Sequence, residues 1–306
     1  MTFISNNTKI QRGNYIIIGY LKPYIIIFTI KMEKNKYVIL INTCDKFEDC
    51  WMPFFKLWSL YWKNYNGTIY LNTEYKNFNY PGLNIRCTKC CDSHGYPKNK
   101  KAPWSQCLIW ALEEIETELV LYMQEDYFLK GNVKGDIIAS YANIMEKNEY
   151  IKCIHLTDQS VITDGESEYP HLCNVKKWQR FRASCQAAIW RKQELLEILR
   201  PYENAWDFEE FGSKRSAKIG HRYLAVNPNW VKINEFEILP YIFTGIIQGK
   251  WYYETIPLFK AHNIYVDFSK RGIVKGYSKR SKYENAKFQI RRFFVKVRNK
   301  WEMFRI

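Results

Sequence analysis

From Tyr37 to Thr43 the chain reads YVILINT, a continuous β-branched apolar run that predicts a central strand buried on both faces. The run ends at Cys44-Asp45, and the period then changes. Phe47, Cys50, Trp51, Phe54, Phe55, Trp58, Tyr61 and Trp62 recur at helical spacing and predict a helix over 47–62. Pro53 suits that helix only in its first turn or at a kink. A short strand, GTIYLNT, follows at Gly67 to Thr73, and residues 74–102 read as polar loops with room for one short strand. Trp104, Leu108, Ala111, Leu112 and Ile115 predict a helix over 103–116, with Pro103 suited to its start. Leu119 to Met123 is again a strand. This alternation implies a mainly parallel sheet with helices on its faces.

Beyond Lys130 the pattern predicts a helix at Gly135 to Lys147 and a strand at Tyr150 to Thr157. A polar loop covers Asp158 to Leu172. Ala183 to Arg191 reads as a strand leading into a helix at Lys192 to Leu199, which Pro201 ends. Leu239 to Trp251 is apolar with glycine breaks, and no internal repeat or low-complexity linker is present. Near the end, Tyr283, Ala286, Ile290, Phe294, Val297, Trp301 and Phe304 step by three or four, with Lys287, Arg291, Lys296, Arg298, Lys300 and Arg305 on other faces. Two readings stand: a basic amphipathic helix at a membrane surface, or a terminal helix docked on the protein's own core with its basic side solvated.

Charge sharpens this picture. The chain carries +15 formally, and Lys270 to Ile306 holds 13 Lys or Arg against 2 acids. A nearly balanced body with a basic tail argues against a body that coats nucleic acid and for a local anionic contact through the tail. The 9 Cys show no framework spacing, which argues against a secreted disulfide scaffold and suits a reducing cytoplasm. Cys87, Cys90, Cys91 and His94 have the spacing at which zinc ligands pair, but without the usual second pair the favoured reading is reduced loop cysteines. The apolar stretch Asn14 to Ile30 is split by Lys22-Pro23 into runs shorter than the roughly 20 residues a spanning helix needs, although Pro is tolerated in some membrane helices. It has no clear signal-peptide cleavage site. Met32 stands just before the first strand, so residues 1–31 are expected to lie outside the fold, as an extension from an upstream start or as an anchor.

There is no Walker loop and no GxGxxG, and no nucleophilic triad follows from the spacing of the scattered histidines. What remains is acidic. In parallel sheets ligands gather at the carboxyl ends of strands, and Asp45 and Asp126 both stand at such ends. Glu125-Asp126 either holds a divalent ion that bridges a diphosphate or is a solvated strand end. Neighbours on a strand point to opposite faces, so only one of them faces a ligand unless the chain turns there. In Trp206-Asp207-Phe208-Glu209-Glu210 acids alternate with aromatics. Burial there would raise a carboxyl pKa and suit it to general-base work, or the aromatics pack while the acids stay wet.

Three segments in order carry a resemblance: VILINTCDKFEDCWMPFFKLWSLYW (38–62), WSQCLIWALEEIETELVLYMQEDYF (104–128) and ASCQAAIWRKQELLEILRPYENAWDFEEFGSKRS (183–216). Together they resemble bacterial and viral GT-A-type glycosyltransferases of capsule, lipopolysaccharide and other surface-glycan synthesis. The resemblance implies an α/β, GT-A-like (Rossmann-like) fold with a nucleotide-sugar-binding half at 32–130, an acceptor-binding half at 131–269 and a basic tail at 270–306. It implies transfer from a nucleotide sugar to a hydroxyl of a glycan or lipid-linked acceptor. Thr43, Cys44 and Asp45 would lie beside the nucleoside, Ser105 would reach the nucleotide, and Glu125 would join the donor site. Asp126 would match the metal-binding acid of a DxD-type motif, taking Mn2+ or Mg2+. Gln124 stands in place of that motif's first acid, which leaves metal dependence open. Glu209 or Asp207 would be the acceptor base of an inverting reaction, with Ser184, Gln186 and Trp190 on the acceptor side. The tail over 279–306 would bring a cytoplasmic enzyme to the anionic inner membrane face, with no nucleic-acid partner. The alternative is a non-catalytic binding protein, either a degenerate transferase fold or a nucleic-acid binder acting through the tail.

Overall fold

The computed structural model describes residues 10–12, 15–17, 30–31, 36–158, 161–278 and 281–304. The chain divides into two compact units, Met1–Asn35 and Lys36–Ile306. In the first, β1 (Ile10–Arg12), β2 (Tyr15–Ile17) and β3 (Ile30–Lys31) form an antiparallel sheet in that order. Most of the apolar stretch at 14–30, and Met32, lie outside the described residues.

The second unit begins with β4 (Tyr37–Asn42), the strand predicted from YVILINT and buried at every position. It continues through α1 (Glu48–Tyr61), β5 (Ile69–Asn72), β6 (Ile85–Cys87) and the single turn α2 (Cys90–Ser93). Then come α3 (Trp104–Glu114), β7 (Leu119–Gln124), α4 (Gly135–Lys147) and β8 (Ile151–His155). A hairpin, β9 (Thr163–Glu166) and β10 (Leu172–Val175), precedes β11 (Ala188–Arg191) and α5 (Lys192–Ile198). Next, α6 (Ala205–Asp207) runs through a π turn, Phe208–Gly212, into α7 (Ser213–Ile219) and on to β12 (Arg222–Val226).

These strands form one nine-stranded sheet in the order β6-β5-β4-β7-β11-β8-β12-β10-β9. Of these, β10 and β11 run against the others. The result is the α/β architecture that the resemblance implies, a mainly parallel sheet flanked by helices. Both faces are covered, which is why β4 and β7 read as unbroken apolar runs. On one face Ile39, Ile41, Leu121 and Met123 pack with Phe54, Phe55 and Trp58 of α1 and Ile138 and Tyr141 of α4. On the other, Val38, Leu40, Val120 and Tyr122 pack with Leu108, Ala111 and Leu112 of α3 and Leu195 and Ile198 of α5. Leu121 is fully buried at the centre of this arrangement. Leu121→Ala is therefore expected to cost about 2–5 kcal/mol of unfolding free energy, read as a lower denaturant midpoint at unchanged slope. Pro53 sits inside α1, beyond its first turn, where it forfeits the bond to the Asp49 carbonyl.

After β12 a small sheet forms from β13 (Ile246–Ile247), β14 (Lys250–Tyr252) and β15 (Ile273–Val274), with α8 (Thr255–Ala261) between the last two. Trp251 of β14 anchors it on Phe128, Phe259 and Phe268. The chain closes with α9 (Lys282–Met303), 22 residues long. The apolar stripe does not make its contact with the body. Tyr283, Ile290, Phe294, Val297 and Trp301 are all exposed. The contact is polar instead: Arg291 pairs with Asp207, Arg292 with Glu210, and Glu302 with Arg200 and Tyr202. Asn299 reaches the fully buried Arg215–Glu203 pair. So the terminal helix does dock, through its charged side rather than its apolar one. Among the described residues no helix is long and apolar enough to cross a membrane.

Candidate functional site

The chain leaves β4 on one side, to β5 and β6, and crosses back to place β7 on the other side of β4. Such a reversal opens a crevice at the strands' carboxyl ends. Asn42 pairs with Gln124 in register, so Thr43-Cys44 and Glu125-Asp126 emerge side by side there. A polar ladder fixes this edge. Asn72 Nδ2 donates to Asn42 Oδ1 (2.7 Å), Thr88 Oγ1 to Asn72 Oδ1 (2.9 Å) and Asn42 Nδ2 to Tyr122 OH (3.3 Å). A satisfied buried network of this kind holds four strand ends in a single arrangement. Asp45 clasps the next corner: its two carboxylate oxygens accept the Glu74 and Tyr75 N–H groups (both 2.9 Å), and Glu74 Oε2 accepts the Asp45 N–H (3.1 Å). Cys44 is partly exposed beside them, its thiol pushed up to about 12 by burial and by the charges of Glu125 and Glu74.

The strand turns at the two acids, where Gln124 O accepts the Tyr127 N–H (3.2 Å). Asp126 Oδ2 accepts from the Thr244 hydroxyl (2.6 Å) and the Ile246 N–H (3.1 Å), and its carbonyl accepts the Gly245 N–H (2.9 Å). Gly245 is required by closeness, since a Cβ there would lie 2.2 Å from the Phe128 ring and 2.8 Å from Asp126 O. Burial and then the Asp126 charge push the Glu125 carboxyl well above the usual range, and the Arg271 charge works against this. Arg271 itself is fixed by Asp49 at 2.5 and 2.6 Å. Burial also raises Asp126, offset in part by Thr244 and Ile246. Two adjoining raised acids fit a hard divalent ion, whose charge would relieve them. Among the described residues neither acid belongs to a group of three or more close His, Cys, Asp or Glu ligand atoms. The set thus suits an ion that fills its sphere with water and substrate phosphate.

Both acids retain protons in the native state at pH values where the unfolded chain has lost them. Native stability therefore falls as pH rises from the ordinary carboxylate range through the raised values. Glu125→Gln removes one such group. Its stability relative to the wild-type chain is expected to grow with pH across that window in melts without added metal, whereas a flat difference would show that Glu125 titrates normally.

A second wall is built from the loop before β11. Tyr127 OH donates to Cys185 O (2.8 Å) and accepts from Gln186 Nε2 (3.1 Å), while Tyr241 OH donates to Gln186 Oε1 (2.8 Å). The two tyrosine rings stack at 4.7 Å. Glu209 lies on the π turn, a kind of distortion that recurs at functional sites, and its Oε1 accepts the Cys185 N–H (3.0 Å). Gly212 lets the turn close, because a Cβ there would lie 2.9 Å from the Phe208 ring. Burial raises the Glu209 carboxyl, moderated by Cys185, Arg180 and Ser184. Glu209 is half-buried, so it combines an upward shift with access to solvent. Tyr277 feels both acids: burial, then the charges of Asp126 and of Glu209, raise its hydroxyl.

Several expected site residues lie elsewhere. Trp190 is fully buried in the core, edge-on to Tyr223 at 5.4 Å and paired with Val120 rather than with the strand ends, so no acceptor touches it. Ser105 is also fully buried, and its N–H donates to Glu203 O (3.1 Å). Thr43 holds its place through the Trp51 indole, which donates to its hydroxyl at 2.9 Å. Asp207 completes a capping box with Asn204 and pairs with Arg291 of α9, so it is committed to structure. The residues gathered at the crevice are Cys44, Asp45, Glu125 and Asp126, with Ser184, Gln186 and Glu209 on the second wall. Lys101, from the loop before α3, and Arg180, Thr244, Arg271 and Tyr277, from loops further along the chain, join them without any sequence signal.

No protein-family model matches the chain, and no curated protein matches it. Solved structures do show likeness. One is the S. aureus TarS 1–349 crystal structure, at 10% identity over 62% of this chain and 58% of that one, TM-score 0.40. Another is GalNAc-T7 with UDP, GalNAc and Mn2+, at 8% identity over 64% and 43%, TM-score 0.41. A third is a UDP-glucose pyrophosphorylase complexed with UDP-glucose, at 10% identity over 63% and 90%, TM-score 0.37. The chain thus spans little more than half of the TarS structure. At these scores what the site can do is decided by its own geometry.

Proposed function

We propose that the chain is a glycosyltransferase that moves a sugar from a nucleotide-sugar donor to an acceptor hydroxyl. One observation carries this reading. A paired-acid strand end at the switch point and a separately positioned carboxylate, Glu209, are linked through Tyr127 and Cys185 by two hydrogen bonds. The nucleoside lies along Cys44 and Asp45, and the diphosphate lies at Glu125 and Asp126. Arg271 and Lys101 add positive charge at that end. Asp126 and Glu125 would hold a divalent ion, which would supply charge neutralisation for the leaving diphosphate. Glu209 takes the acceptor's hydroxyl proton as the new glycosidic bond forms, and Ser184 and Gln186 orient that acceptor. A nucleotidyl transfer would leave Glu209 without a role.

Calorimetric titration of the full chain with UDP, GDP and CDP, each with and without Mn2+, tests the donor half. Tight binding of one nucleotide, strengthened by the ion, is expected. Binding indifferent to Mn2+ would keep the transferase and remove the metal, and no binding of any nucleotide would overturn the reading.

We also propose that the acceptor is presented at an anionic membrane surface, because α9 keeps its cations near an exposed apolar stripe. Replacing Ile290, Phe293 and Phe294, each more than 60% exposed, by Ser should weaken co-sedimentation with anionic vesicles by about tenfold or more. Unchanged binding would remove the membrane from the proposal.

A further inference from the structure

Away from the transfer site, three thiols meet that the chemistry above does not use. Cys90 and Cys91 lie in α2 and Cys107 in the first turn of α3. Their sulfurs all lie within 4.8 Å of one another, Cys91 and Cys107 at 3.9 Å. All three are free, with exposures of 2%, 1% and 6%. The fold divides the cluster that spacing alone had marked. Cys87 Sγ accepts the Phe78 N–H (3.1 Å), and the His94 ring stacks on Trp110 at 4.5 Å with Nδ1 at the Cys90 carbonyl (2.8 Å). Cys107, from the next helix, replaces them.

We propose that Cys90, Cys91 and Cys107 form a three-thiolate site for a soft monovalent ion, Cu(I). Thiolate ligands select soft metals and disfavour hard ones. Metal–sulfur bonds of about 2.3 Å in a trigonal plane separate the sulfurs by about 4.0 Å, which is the spacing of Cys91 and Cys107. Structural zinc is normally closed by a fourth protein ligand. Here no fourth His, Cys, Asp or Glu among the described residues joins the group, and burial leaves little access for water. A bound ion would tie α2 to α3. It would thereby stiffen Glu74, whose carbonyl accepts the Cys91 and Asp92 N–H groups (both 3.1 Å) and whose carboxylate holds the Asp45 corner. The site stands independently of the sugar chemistry.

Reduced full-length protein, titrated without oxygen against Cu(I) held by a competing chromophoric chelator, tests the site. The protein should withdraw one ion to the site, and X-ray absorption should show three sulfur neighbours at about 2.3 Å. Loss of even an outer-shell partner typically costs 10–100-fold in metal affinity, so Cys107→Ser should lower it by more than about 100-fold. Cys87→Ser should leave it unchanged. No withdrawal of Cu(I), a shell containing nitrogen or oxygen, or equal affinity in Cys107→Ser would overturn the proposal. The wild-type absorption result decides the matter even if Cys107→Ser does not fold.

Discussion

Asp126→Asn is expected to lower transfer by about 10²–10³-fold or more while the chain stays folded. Asn keeps an oxygen where Thr244 Oγ1 and Ile246 N–H donate, so the strap that holds residue 126 retains its bonds. What is lost is one of two adjacent ionisable carboxyls, and with it a negative charge for the ion. That loss also relieves Glu125, whose carboxyl the Asp126 charge pushes upward. The variant should therefore stay folded, gaining stability relative to the wild-type chain as pH rises, and lose the Mn2+-dependent part of nucleotide binding. Turnover of UDP-, GDP- and CDP-sugars, followed beside calorimetry, reads both effects. Full turnover with ion-dependent binding intact would take Asp126 out of the site.

Glu209→Gln is the complementary case. A positioned general base contributes about 10²–10⁴-fold, so kcat should fall by that order while donor affinity holds. Gln retains an oxygen for the Cys185 N–H, and the loop keeps its shape. The pH profile separates chemistry from structure. The carboxylate is the active form and burial raises its pKa, so wild-type kcat should climb as pH passes upward through that raised value. The Gln variant should show no such limb. Asp207→Asn should leave the limb in place and cost only about 1 kcal/mol or less through its partly exposed ion pair. A limb that persists in Glu209→Gln would assign the base elsewhere.

Period and run length were enough to place the sheet's first half. β4, α1, β5, α3 and β7 each announce themselves by burial on one or both faces, and the acids at the end of β7 follow from that order. The rest depends on contacts that local pattern does not encode. Trp190 sits in a strand whose apolar character is the same whether it faces a cleft or a core, and pairing across β7 decides for the core. Asp207 and Glu209 share one acidic-aromatic segment, and only the π turn sends them in different directions. Thr244, Arg271 and Tyr277 reach the site from more than 100 residues downstream of Asp126 (the Thr244 contact spans 118 residues), so no window of sequence contains the whole site. The stripe on α9 was visible as a period, but which side docks is set by Asp207, Glu210 and Arg215 of the body.

That last contact bears on how a shortened chain would behave. Asp207 and Glu210 flank Glu209 on one continuous turn, and both are gripped from α9, by Arg291 and Arg292. The tail is thus a brace for the segment that carries Glu209, the proposed base, as well as a basic surface. Trimming it to obtain better-behaved protein would release that segment, leaving Asp207 without its ion-pair partner and Glu210 with Lys214 alone. An enzyme cut in this way should turn over poorly even on a water-soluble acceptor. Substitutions on the exposed stripe of α9, which leave the brace intact, are the cleaner way to ask what the membrane contributes.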